Sequence, residues 1–91
     1  MYKYLTDDQL NQIENRLMAT TPEPWQSFVE GRDHTSGSNF IMTGGKLNRG
    51  SDIELIGASS EDQDFIAAAR SDIPLLIKEI KYLKHFINTN L

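Results

Sequence analysis

The chain has 91 residues, 38% of them hydrophobic and 24% charged, which suits one globular domain over 1–91 and excludes a disordered chain. Its net charge of −4 argues against a general nucleic-acid binder, which must neutralise phosphates, but leaves room for a small anion held by two or three basic side chains. There is no cysteine, so disulfides and Cys-based zinc sites are excluded, and with no apolar leader after Met1-Tyr2-Lys3-Tyr4 a cytoplasmic location is expected.

In chain order, Thr6-Asp7-Asp8-Gln9 predicts a helix start. The threonine hydroxyl can accept from the Gln9 N–H while Gln9 reaches back, and the aspartates suit the positive end of the dipole. Leu5 and Leu10 flank this box at the spacing of a hydrophobic staple. Leu10, Ile13 and Leu17 then recur at helical spacing, and the prolines of Thr20-Thr21-Pro22-Glu23-Pro24 end the helix. Trp25–Glu30, Asn39–Thr43 and Asp52–Ile56 are short and rich in aromatic and β-branched residues. The turns Gly31–Ser38 and Gly44–Ser51 separate them, so three antiparallel strands in a meander are predicted. Within the strands, Phe40 and Met42 share a face opposite Ile41, and Ile53 and Leu55 share a face opposite Glu54.

A second capping box, Ser60-Glu61-Asp62-Gln63, predicts a helix running to Arg70. Pro74 is favoured in a first turn and costly in an interior, which predicts a new helix starting at Ser71 or Asp72. That long helix places Ile73, Leu76, Ile77, Ile80, Leu83 and Ile87 on one broad face, with Lys78, Lys81, Lys84 and His85 on the rest. The expected fold is α+β: an N-terminal helix, a three-stranded antiparallel sheet and a C-terminal broken helix pair. The small sheet and short helix are not expected to cover the whole stripe, so self-association is predicted, with Tyr82, Phe86 and Leu91 contributing.

Nothing in the sequence assembles a catalytic or metal constellation, so a non-enzyme without metal or cofactor is expected. His34 and His85 have no partner at metal-ligand spacing and read as solvated. Gly44-Gly45-Lys46 lacks the Walker frame, with Leu47 where Ser or Thr is needed, and reads as a flexible turn in which Lys46 and Arg49 could close on an anion. Glu61, Asp62 and Asp64 occupy a helix first turn, where negative charge is stabilising without any function.

Two segments carry a resemblance. Ala19-Thr20-Thr21-Pro22-Glu23-Pro24-Trp25 is similar to the "ATPGPW" segment of many small phage and prophage proteins. Asp64-Phe65-Ile66-Ala67-Ala68-Ala69-Arg70-Ser71-Asp72-Ile73-Pro74-Leu75-Leu76 is similar to their "FIAxARxDVPxLL" segment. The first departs by an extra threonine and by Glu23 where glycine is usual. The resemblance implies a non-enzymatic oligomer like the phage anti-defence sponges that capture cyclic ADP-ribose-type signals of the Thoeris immune system. It implies a pocket in which a nucleotide stacks on an aromatic ring and meets a guanidinium. Candidate ligand residues are then Arg70, Arg49, Lys46, Arg32, Phe40 and Trp25, with Phe28 and Phe65 as further rings. Of these, Trp25 and Phe65 also read as core anchors, and Arg70 as a helix C-terminal cap. The alternative is a protein-interaction module, an inhibitor or antitoxin-like partner of a host protein.

Overall fold

The fold is a computed structural model and is described for residues 5–89, which leaves Met1–Tyr4 and Leu91 of the expectations above outside the described residues. Two helices and a three-stranded antiparallel sheet follow in the order α1 (Asp7–Met18), β1 (Gln26–Phe28), β2 (Phe40–Met42), β3 (Ile53–Glu54) and α2 (Ser60–Thr89). This is the α+β arrangement expected.

The chain divides into two compact units. One joins the residues up to Thr20 with those from Asp72 onward; the other is Thr21–Ser71.

In the first unit, α1 starts with the capping box its sequence predicts. Gln9 N donates to Thr6 Oγ1 at 3.1 Å, and Thr6 N donates to Gln9 Oε1 at 2.9 Å. Two ion pairs tie α1 to the later part of α2: Lys81 to Glu14, and Lys84 to Asp7, with Lys84 also donating to the Leu5 carbonyl. Lys81 and Lys84, placed by the sequence off the broad apolar face, therefore hold the two helical segments together. Among the described residues, Leu10 and Ile77 are the large apolar side chains this unit buries.

The Thr21–Ser71 unit is built on the sheet. β1 pairs with β2 through Ser27↔Ile41 and Phe28↔Phe40, and β2 with β3 through Ile41↔Ile53. The strands are shorter than predicted but centred where the alternation placed them. Ile41 is fully buried, opposite the half-buried Phe40 and Met42. Val29, Thr43, Gly44, Gly45, Gln63 and Ala67 are buried with it.

Helix α2 begins one residue away from the predicted box. Asp62 N donates to Ser59 Oγ at 3.0 Å and Ser59 N to Asp62 Oδ2 at 3.3 Å, so Ser59 is the capping residue. Gln63 is thereby released from capping. It is 1% exposed, and its Nε2 donates toward Ser27 Oγ, Phe28 O and Phe40 O at 2.9–3.0 Å, fastening the helix to both β1 and β2.

The helix break expected at Ser71–Asp72 is absent: α2 is continuous from Ser60 to Thr89, with Pro74 inside it. A proline costs about 3 kcal/mol in a helix interior, a loss one residue imposes on a run that otherwise keeps its ladder and contains the good formers Ala67–Ala69, Leu75 and Leu76. The predicted breakpoint does mark the boundary between the two compact units.

Candidate functional site

Four of the six candidate residues gather around Thr21. Its carbonyl accepts from Trp25 Nε1 at 2.9 Å and from Arg70 Nε at 3.1 Å. Its methyl group lies against the 44–50 turn: a Cβ placed on Gly44 or Gly50 would come within 3.1 or 2.8 Å of Thr21 Cγ2. Pro24 closes on the same turn, 2.9 Å from where a Cβ on Gly45 would sit. These glycines therefore let the Thr21–Trp25 segment pack directly onto the turn backbone that bears Lys46 and Arg49. Arg70 is half-buried in mid-helix rather than at a helix C-terminus, as the sequence suggested. Its position follows from the continuity of α2.

The turn itself is closed by hydrogen bonds. Asn48 N donates to Gly44 O at 3.1 Å, Gly50 N to Thr43 O at 3.0 Å, and Thr43 Oγ1 to Ser51 O at 3.0 Å. Arg49 pairs with Asp52 and donates to the Gly50 carbonyl, which fixes its guanidinium along the turn. Lys46 is exposed and its side chain has no ion pair among the described residues. The arrangement is a preset loop that carries one ammonium without an ion pair among the described residues and a guanidinium paired with Asp52.

Arg32 and Phe40 belong to a different cluster. The Arg32 guanidinium grips Asp64 with both of its terminal nitrogens, at 2.8 and 2.9 Å, and also reaches Asp33. This fork holds the Asp64 carboxyl down to about 2, with the Ser27 hydroxyl assisting, and it also lowers Asp33, which further accepts from Val29 N. The same carboxylates raise Arg32 above its ordinary value. An arginine already neutralised by two carboxylates attracts an anion weakly, so this one reads as a structural clasp between a loop and α2. Asp64, assigned from the sequence to favourable first-turn charge, is the other half of that clasp.

Phe40 stacks on Phe28 with centroids 5.2 Å apart and planes 17° apart, and His34 meets Phe40 edge-on at 5.0 Å. His34 is accordingly not a solvated residue. Its Nδ1 accepts from Ser36 N at 3.1 Å, and its Nε2 is buried without a hydrogen-bond partner among the described residues. Phe65, expected as a core anchor, is 74% exposed because the face of α2 toward the sheet carries Gln63 and Ala67 instead.

Of the clefts among the described residues, two open ones lie elsewhere, and none of the six candidates lines either. One of about 500 Å3 in the Thr21–Ser71 unit is flanked by Glu30 and Glu54, the wrong sign for an anion. The other, about 360 Å3, lies between α1 and α2 and carries Lys81 and Lys84, both already ion-paired, together with His85 and Asp7. No group of three or more metal-binding side chains is assembled among the described residues.

The feature that sequence reasoning located but underestimated is the apolar side of α2 from Asp72 onward. Leu75, Leu76, Tyr82, Leu83, Phe86 and Ile87 are all roughly half exposed or more, and Tyr82 and Phe86 stack on one another at 6.3 Å. No helix among the described residues is long and apolar enough to cross a membrane, so lipid insertion as a spanning segment does not account for this surface. No protein-family model, curated protein or solved structure matches the chain.

Proposed function

We propose that the chain is a non-enzymatic binding module that works by protein association through the apolar side of α2 between Asp72 and Thr89, in the phage or prophage setting its two end segments resemble. The exposed apolar band carries this reading. Monomeric proteins seldom expose contiguous apolar patches beyond a few hundred Å2, and a unit made of two helical segments has little else with which to cover one. A cysteine-free chain suits the reducing cytoplasm of a bacterial host.

Sedimentation is the direct test. The wild type is expected to run above its monomer mass of 10.3 kDa at micromolar concentration. Leu83→Glu should keep the helical circular dichroism, since Leu83 is 47% exposed, yet lose the larger species, because burying an unpaired carboxylate is costly. A folded wild-type monomer at high micromolar concentration would sink the self-association and leave a host protein as the partner to seek.

A second reading rests on the cluster around Thr21. Lys46 and Arg49, on a turn already closed by its own hydrogen bonds and set beside Trp25 and Arg70, favour a small anionic ligand such as a cyclic ADP-ribose-type signal. A preset loop loses little entropy on binding. Calorimetric titration with cyclic ADP-ribose and inorganic phosphate should show binding that Lys46→Ala weakens roughly ten- to a hundredfold, as expected for one charge-assisted hydrogen bond. Equal affinity in the variant would remove Lys46 from the site, and no heat with either compound would remove the reading.

A further inference from the structure

Within the exposed band, one line of side chains has a regular spacing. Ile73, Leu76, Ile80, Leu83 and Ile87 follow one another at alternating steps of three and four residues, the repeat of a coiled-coil seam. Isoleucine takes every position of one kind and leucine every position of the other, the combination that favours two parallel strands over three or four. Leu76, Leu83 and Ile87 are 61%, 47% and 54% exposed, Ile73 is 36% exposed and Ile80 is half-buried, so the seam is largely uncovered.

The seam is not the side that faces α1. That side is marked by Lys81, Lys84 and Asn88, which line the cleft shared with Asp7, Leu10 and Asn11. At 3.6 residues per turn the seam is centred about 100° around the helix from it. Helix α2 can therefore hold α1 on one flank and a second helix on the other, as helices in four-helix bundles do. Phe86 flanks the seam and Leu75 and Tyr82 lie further round the helix; all three are exposed.

Resting on the association reading above, we infer that the partner is a second copy of this chain, and that the two α2 helices pair parallel and in register along Ile73–Ile87. Charge selects the orientation. Glu79 flanks the seam on one side, exposed and with no ion pair among the described residues; Lys84 flanks it on the other. In a parallel pair, Glu79 of one copy falls opposite Lys84 of the other, twice by symmetry. Lys84 gives two of its three N–H groups to Asp7 and the Leu5 carbonyl, and so keeps one for that glutamate. In an antiparallel pair, Glu79 would instead face Asp72, Phe86 or another Glu79, and Lys84 would face Ile77 or another Lys84. Each of those leaves a charge repelled or unmatched.

The chain has no cysteine, so single-cysteine variants of the full protein give a clean readout. In a parallel pair in register, each seam residue meets its own counterpart, and two positions a heptad apart both do so. Leu76→Cys and Leu83→Cys, oxidised separately with diamide, are each expected to run mostly as disulfide dimers on non-reducing gels. Lys78→Cys, on a flank away from the seam, should stay monomeric on the gel. Both leucines are exposed, so circular dichroism should match the wild type. If sedimentation shows a wild-type dimer while Leu76→Cys and Leu83→Cys do not both cross-link above Lys78→Cys, the parallel seam is overturned and the association reading stands. If the wild type sediments as a monomer, the seam and the self-association fall together.

Discussion

Gln63→Leu is expected to destabilise the Thr21–Ser71 unit by roughly 2–5 kcal/mol, although leucine is apolar and of similar size. The amide of Gln63 is 1% exposed and its Nε2 serves Ser27 Oγ, Phe28 O and Phe40 O. Nε2 has two hydrogens for three acceptors, so at least one is shared. A leucine removes the donor and leaves two carbonyls facing an apolar side chain, each losing a buried hydrogen bond worth about 1–3 kcal/mol when left unmade. It also removes the link from α2 to both β1 and β2. Trp25 is the single tryptophan and lies in this unit, so its fluorescence during urea unfolding reads the loss directly. A loss under about 1 kcal/mol would show that the two carbonyls find other donors. Gln63→Glu is expected to be worse, since an acceptor carrying charge would then face three acceptors.

How far the sequence revealed this arrangement depends on the range of the interaction concerned. The start of α1 was legible because Thr6 and Gln9 satisfy each other locally. The start of α2 was legible to within one residue. Ser59 with Asp62 and Ser60 with Gln63 are overlapping boxes, and the choice between them is made by the sheet, which takes the Gln63 amide for itself. Strand centres followed from alternation around Ile41, while strand lengths depend on pairing partners that alternation does not contain. Pro74 misled because a local penalty was weighed without the cooperativity of a 30-residue helix around it. The clasp of Arg32 by Asp64 joins residues 32 apart in the chain, and no spacing rule announces it. The cluster around Thr21 was half legible. Lys46 and Arg49 were recognised on one turn, but the glycine positions that let Thr21 and Pro24 press onto that turn emerge only in three dimensions.

Gly44→Ala is expected to have the largest effect of any single methyl group in the Thr21–Ser71 unit, a loss of about 4 kcal/mol or more. Gly44 has a φ of +81°, a conformation that costs a side-chain-bearing residue roughly 1–2 kcal/mol. The steric cost is greater. A Cβ there would lie 1.8 Å from the Asn48 carbonyl oxygen and 2.5 Å from its carbon, both backbone atoms that cannot swing aside. The turn would have to open, and the bonds from Asn48 N to Gly44 O and from Gly50 N to Thr43 O would go with it. Gly37→Ala is the matched control: its φ is +94° and nothing lies within 4 Å of the added carbon, so it should show the torsional cost alone. The difference between the two variants in urea, followed by Trp25 fluorescence, measures the closeness of the turn backbone. That quantity bears on function, because Lys46 and Arg49 meet an anion at little entropic cost only if the backbone carrying them is fixed before the ligand arrives. Equal losses in the two variants would show a turn that opens freely. The anionic-ligand reading would then lose the preorganisation it rests on, while the association surface of α2 would be untouched.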